Sequence, residues 1–254
     1  ITPEYLGSSR YINEAHSIGG FTGVSPVQLA NAYSAFGNGG YFTEAHSINK
    51  IVYKNGSEDD VVDFNFEKKR VMKDTTAYMI SSMLKKVTNS SIKVEGTEIS
   101  TKTGTSSYDS NTLKKLKLSN NVIQDAWTVT FTKDYSVAIW YGYDNLTKKT
   151  YNTSSHAWSE RTKIQKAIVT KVMEKNSTFN IPSGIVKAKV VVGTNPPKLP
   201  NASTPSSRIQ THLFIKGTEP TSTVYYSPKV ETKSEEDIEQ STEEETKIPD
   251  ILEP

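Results

Sequence analysis

The stretch that decides the fold is Val94-Glu-Gly-Thr-Glu-Ile-Ser-Thr-Lys-Thr-Gly-Thr105. It predicts an extended strand that closes on Lys102-Thr103-Gly104-Thr105, and on an edge strand that order has chemical meaning. The Lys102 ammonium can hold a substrate carboxylate and order the proton network of a nearby hydroxyl nucleophile. The hydroxyls of Thr103 and Thr105 can bond the same carboxylate, and Gly104 lets a substrate backbone approach closely. The Thr105 amide is placed to donate to an oxyanion. Alone, these residues read more readily as a surface strand ending in a polar turn, so the flanking sequence decides.

Two further strands follow. In Asp125 to Phe131, Trp127, Val129 and Phe131 alternate with polar partners. Tyr135 to Tyr143 is nearly continuous in apolar residues, as in a buried sheet. Lys133-Asp134 joins them tightly and predicts an antiparallel pair. Between the motif and Asp125 lies an insertion rich in Lys and Asn, Ser106 to Gln124. Upstream, a helix is predicted over 25–36, with Ser25 as N-cap, Pro26 at the first helical position and Gln28 completing a capping box. Leu29, Ala32, Tyr33 and Phe36 form its apolar face, and Gly37, Gly39 and Gly40 end it. Tyr41 to Tyr53 and Val61 to Phe66 predict a loose hairpin turning at Asn55-Gly56. A second helix starts at Asp74, with Ala77, Ile80, Leu84 and Val87 on one face. A last helix runs from about Ser159 to Lys175, with Ile164, Ala167, Ile168, Val169 and Val172 as its apolar side.

The 254 residues include 30 Lys+Arg, 28 Asp+Glu and no cysteine. The last fact excludes a disulfide scaffold, a zinc-thiolate site and a cysteine nucleophile. The near-neutral charge hides two unlike parts. Residues 231–254 hold ten acids and two bases, which leaves 28 bases against 18 acids in the rest. A segment so charged and so poor in apolar residues predicts a disordered acidic tail. The bases of the body are scattered, without a nucleic-acid signature. No apolar run approaches the roughly 18 residues that span a bilayer. After Pro182, Pro196, Pro197, Pro200, Pro205, Pro220 and Pro228 punctuate a Ser/Thr/Asn-rich stretch. The expected organisation is therefore a domain over 1–183, an irregular extension with short strands over 184–228, and the tail over 229–254.

The run from Gly20 to Gly40, GFTGVSPVQLANAYSAFGNGG, resembles the helix-and-glycine segment of penicillin-binding protein transpeptidase domains. So does the order of Asp74-Thr-Thr-Ala-Tyr-Met79, Lys102-Thr-Gly-Thr105, Asp125-Ala-Trp127 and Val137-Ala-Ile-Trp-Tyr-Gly-Tyr-Asp144. Phe214-Ile-Lys-Gly-Thr-Glu-Pro220 looks like a short sequence near the end of class A members. The resemblance implies the α+β penicillin-binding/β-lactamase-like fold, an antiparallel sheet flanked by helices, of which this chain is the C-terminal part. It implies a serine D,D-transpeptidase of the bifunctional class, whose members also polymerise glycan strands. Such enzymes are membrane-anchored and act on the extracellular face on stem peptides ending in D-Ala-D-Ala. Their partners would be those peptides, the lipid-linked precursor and β-lactams, with no nucleic acid, no metal and no organic cofactor. Lys102 would be catalytic, Thr103, Gly104 and Thr105 substrate-binding, and Trp127 a residue bordering the cleft.

The family also uses Ser-x-x-Lys and Ser-x-Asn motifs. Ser47-Ile-Asn-Lys50 and Ser82-Met-Leu-Lys85 fit the first pattern, and Ser47-Ile-Asn49 the second. Ser47 falls on a predicted strand and Ser82 inside a helix, whereas the resemblance implies a nucleophile at a helix start far upstream. The serine, its lysine, the Ser-x-Asn pair and the membrane anchor are thus expected before Ile1, and this piece alone is expected to be inactive. His16, His46, His156 and His212 lack metal-ligand spacing. Two other readings of the same fold are a non-catalytic wall-binding module and a β-lactamase-like hydrolase or D,D-carboxypeptidase.

Overall fold

A computed structural model of the chain describes Glu14, Gly19 and residues 23–54 and 61–224. The acidic tail, the Asn55-Gly56 turn, His16 and most of the chain before Gly23 lie outside the described residues. The chain divides into two compact units, Ile1–Ile185 and Val186–Pro254.

Helix α1 (Pro26–Gly37) begins on the capping box that its sequence specifies. The Gln28 amide donates to Ser25 Oγ at 3.2 Å, and the Ser25 amide donates to Gln28 Oε1 at 2.9 Å. Two orphan donors of the first turn are satisfied in this way. At the other end a Cβ on Gly37 would come 2.2 Å from the Thr132 carbonyl oxygen, so only glycine permits this approach. The expected hairpin forms in two tiers. Strands β2 (Lys50–Val52) and β3 (Val61–Asp63) pair antiparallel, and so do β1 (Tyr41–Phe42) and β4 (Lys69–Arg70).

The main sheet has four strands. Strands β5 (Ser100–Ser107), β6 (Val122–Phe131) and β7 (Ser136–Gly142) lie in that order, all antiparallel, and β8 (Asn152–Thr153) pairs with the start of β6. Among the described residues β5 is bonded to β6 alone and is an edge. Helices α1 and α2 (Asp74–Lys85) cover one face of the sheet. There Ser100 Oγ donates to the Ser81 carbonyl of α2 at 2.8 Å. On the same face Phe131, fully buried, sits 6.1 Å from the rings of Tyr33 and Phe36 and 5.9 Å from Phe179. Burial raises the Tyr33 pKa above its ordinary value. Helix α4 (Ser154–Val172) covers the other face, where Gln165 Nε2 donates to Thr130 Oγ1 at 2.6 Å.

Several boundaries differ from those expected. Val94 to Ile99 is not strand: Thr97 N donates back to Val94 O, and Glu98 N donates to the Ser177 carbonyl, so these amides serve a turn and a loop contact. The 106–124 insertion extends β5 by two residues and then forms a short helix, α3 (Ser110–Leu116), capped by Asp109. Helix α4 begins five residues earlier than expected because Thr153 caps it, accepting from the His156 amide. Its apolar side is also misplaced. Ile164 and Val172 are 37% and 43% exposed, whereas Ala157, Arg161, Gln165 and Val169 are buried. The sheet face beneath carries Thr101, Thr128 and Thr130, and it draws polar side chains from the helix. On α2, Val87 lies beyond the last turn and is exposed. In the second unit β9 (Ile185–Val191) pairs with β10 (Ile209–Ile215), more regular structure than the proline content suggests.

Replacing Phe131 with alanine should remove the contacts between α1 and the sheet. Equilibrium urea unfolding should show a loss of about 3–5 kcal/mol. A loss below about 1 kcal/mol would mean that this ring does not anchor α1.

Candidate active site

Strand β5 runs antiparallel to β6 with Lys102 opposite Val129, Gly104 opposite Trp127 and Ser106 opposite Asp125. Side chains alternate across a pleated strand, so Ser100, Lys102, Gly104 and Ser106 share one face. The face is the one that α1 and α2 cover further along. Thr101, Thr103 and Thr105 belong to the α4 face. The structure therefore brings Lys102 together with Gly104 and Trp127, and sends the two threonine hydroxyls to the opposite side of the edge. A ligand that meets all three polar groups has to lie along the strand edge itself.

Lys102 is exposed, and its Nζ donates to the Thr103 carbonyl at 2.6 Å. Trp127, half-buried, tilts against Trp140 of β7, with ring centroids 6.4 Å apart. Asp125 secures this pair. Trp140 Nε1 donates to Asp125 Oδ1 at 2.7 Å, and Ser106 Oγ donates to Oδ2 of the same carboxylate. The indole of Trp140 can lie where it does because Gly142 follows two residues on: a Cβ there would come 2.6 Å from Trp140 Cζ2. Burial and then the negative charge of Asp125 raise the Tyr108 pKa.

On the α4 face Arg161 is 3% exposed. Its Nη1 donates to the Trp127 carbonyl at 3.0 Å and reaches the Gly104 carbonyl at 3.4 Å. Burial lowers its pKa. A cavity of about 320 Å³ opens beside it, lined by Thr105, Ile123, Ala126, Ser154, Ser155 and Trp158. A larger one, about 540 Å³, lies by the β6–β7 turn among Tyr41, Arg70, Asp74, Lys133 and Phe179. Neither is lined by Lys102, so the accessible chemistry of the motif faces an open edge.

The sequence did not single out Ser106, Trp140 or Arg161. The spacing Ala157, Arg161, Gln165, Val169 repeats every four residues and marks a helix stripe, but two polar members disguise it. Of the serine patterns, Ser47 is exposed and precedes β2, and Ser82 lies within α2. Lys85, the lysine that would serve Ser82, is paired with Glu98. Among the described residues no three His, Asp or Glu side chains gather as a metal site, and no helix is long and apolar enough to cross a membrane.

Residues 3–179 match the penicillin binding protein transpeptidase domain. The chain belongs to this family. Residues 181–227 match the C-terminal domain of penicillin-binding protein 1A. Penicillin-binding protein 1A/1B of Bacillus subtilis is 36% identical over 231 residues, 88% of this chain and 25% of the relative. Penicillin-binding protein 1A of Streptococcus pneumoniae is 34% identical over 173 residues, 65% of this chain and 23% of the relative. The chain thus spans about a quarter of the length of these curated relatives. The crystal structure of PBPA from Mycobacterium tuberculosis aligns with a TM-score of 0.43 at 16% identity, over 57% of this chain and 33% of that one. The Lys102 strand falls inside the transpeptidase match, and the Phe214 to Pro220 patch falls inside the second.

Substituting Asp125 with alanine should free both the Trp140 indole and Ser106. Loss of hydrogen bonds to a charged acceptor should destabilise the protein by about 1.5–3 kcal/mol and weaken the near-UV circular dichroism of the tryptophan pair. An unchanged near-UV spectrum would show that the carboxylate does not fix these rings.

Proposed function

We propose that this chain is part of a longer peptidoglycan synthase and contributes one wall of its D,D-transpeptidase centre. The observation that carries the reading is the geometry of β5: the Lys-Thr-Gly-Thr sequence lies on a strand paired on one side, with Lys102 exposed. An extended peptide ending in D-Ala-D-Ala can lie along the free side as an added strand. Lys102 then holds the terminal carboxylate and the proton network of the serine. Thr103 and Thr105 meet the carboxylate from the other side of the edge, Gly104 leaves room for the substrate backbone, and Trp127 with Trp140 borders the cleft.

The serine comes from residues outside this chain. Its oxygen attacks the penultimate D-Ala carbonyl, and the carbon–nitrogen bond breaks. The terminal D-Ala departs with the proton, leaving an ester. An amine from a neighbouring stem attacks that ester, the cross-link forms, and the serine recovers its proton. β-Lactams acylate the same serine and stay there. The longer protein would polymerise glycan from lipid-linked precursor and act on the extracellular face of the membrane through an anchor. Residues 1–183 serve the transpeptidase, 184–228 form its extension, and 229–254 are an acidic tail.

Fluorescent penicillin tests this reading. Lys102→Ala in the longer protein should slow acylation by at least about a hundredfold without lowering the melting temperature, and this chain alone should take no label. Adduct formation at Ser47 or Ser82, or undiminished acylation of the Lys102 variant, would sink it.

A further inference from the structure

The Gly104 carbonyl and the Thr105 amide belong to one peptide unit. In a trans peptide the C=O and N–H point in opposite directions. Among the described residues the one cis bond is Asn195-Pro196, so this unit is trans. Arg161 Nη1 is within reach of both the Gly104 and the Trp127 oxygens, at 3.4 and 3.0 Å, and these residues are register partners on β5 and β6. A single nitrogen can meet both oxygens only where both carbonyls point into the space between the strands. The Thr105 N–H must then point the other way, off the free side of β5.

Arg161 is an expensive means of closing that space. It is 3% exposed, and among the described residues none of the ion pairs involves it. Burying a cation without a counter-ion opposes folding, and an aliphatic side chain would pack on α4 at less cost. A buried charge on a carbonyl polarises its peptide and makes the linked N–H a stronger donor. Gly104 has no side chain of its own with which to hold the unit.

We infer that Arg161 is a positioning residue: it steadies the Gly104–Thr105 unit that the strand pairing aims at the free edge, and strengthens the Thr105 amide as a donor to the oxyanion. The inference rests on the transpeptidase reading. It makes Arg161 act on the chemical step and not on the encounter with substrate, because an oxyanion forms only after attack.

The test separates these two quantities. In the longer protein, stopped-flow acylation by a penicillin yields the dissociation constant of the first complex and the acylation rate constant. Arg161→Gln should lower the rate constant about tenfold, leave the dissociation constant within about twofold, and be partly rescued in Arg161→Lys. If the glutamine variant does not fold, Arg161→Met, which fills the site without the charge, decides: a rate constant reduced by about threefold or more at unchanged affinity supports the inference, and a wild-type rate constant overturns it. Weaker affinity at an unchanged rate constant also overturns it. Lys102→Ala is the parallel control. A normal rate in that variant would defeat the transpeptidase reading itself, whereas a slow Lys102 variant beside a normal Arg161 variant would defeat the positioning role alone.

Discussion

The antiparallel pairing that sets Lys102 opposite Val129 and Gly104 opposite Trp127 determines what each residue of the motif can reach. Because β6 is paired on both sides and buried along most of its length, its backbone has no free side to offer a ligand. Its neighbour β5 offers what β6 cannot: one free side, an exposed lysine and a glycine without a side chain. A slip of one residue would exchange the two faces of the strand. Lys102 would then point at Gln165, and Thr103 would stand beside the tryptophans. Phe131 and Ser100 at one end of the pairing, and Asp125 with Ser106 at the other, hold the register against such a slip.

The two faces of the sheet are held by different forces. Under α1 the contact is a cluster of aromatic rings, in which the loss of any member leaves a cavity. Under α4 it is mixed: Gln165 is bonded to Thr130 and Arg161 to the backbone of β6, while Ala157 packs with Ile123 and Ala126 at one end and Val169 with Ile99 and Val137 at the other. Thr128 Oγ1 is buried there without a hydrogen-bond partner among the described residues. Polar contacts gain less net stability than apolar burial but demand one geometry. Helix α4 therefore locks the strand pair in place, and the lock sits behind the Gly104–Thr105 peptide unit.

Much of this was legible in the sequence where local chemistry dictates local structure. The capping box of Ser25 and Gln28 and the tight turn after Thr132 are short-range devices and form as read, whereas Gly37 falls inside the helix and serves a distant contact with Thr132. The edge placement of Lys102-Thr103-Gly104-Thr105 was legible through the resemblance to penicillin-binding transpeptidase domains, because side-chain alternation reports which face of a strand is buried and not which strand is an edge. The strand expected from Val94 failed because the amides of Thr97 and Glu98 find partners in a turn and in the loop after α4, which no periodicity announces. The face of α4 was misjudged for a related reason. An apolar count favours Ile164 and Val172, but the middle of the floor beneath the helix is made of threonines and carbonyl oxygens. Those groups recruit Arg161 and Gln165, a long-range complementarity that appears only when sheet and helix are seen together.

The most direct test of the account is a crystal structure of the longer protein acylated by a penicillin. The account predicts the acyl carbonyl oxygen within about 3 Å of the Thr105 amide nitrogen, the ligand carboxylate beside Lys102, and the Arg161 guanidinium still on the Gly104 carbonyl. An adduct whose carbonyl oxygen lies away from β5, with the Thr105 amide facing solvent, would contradict it.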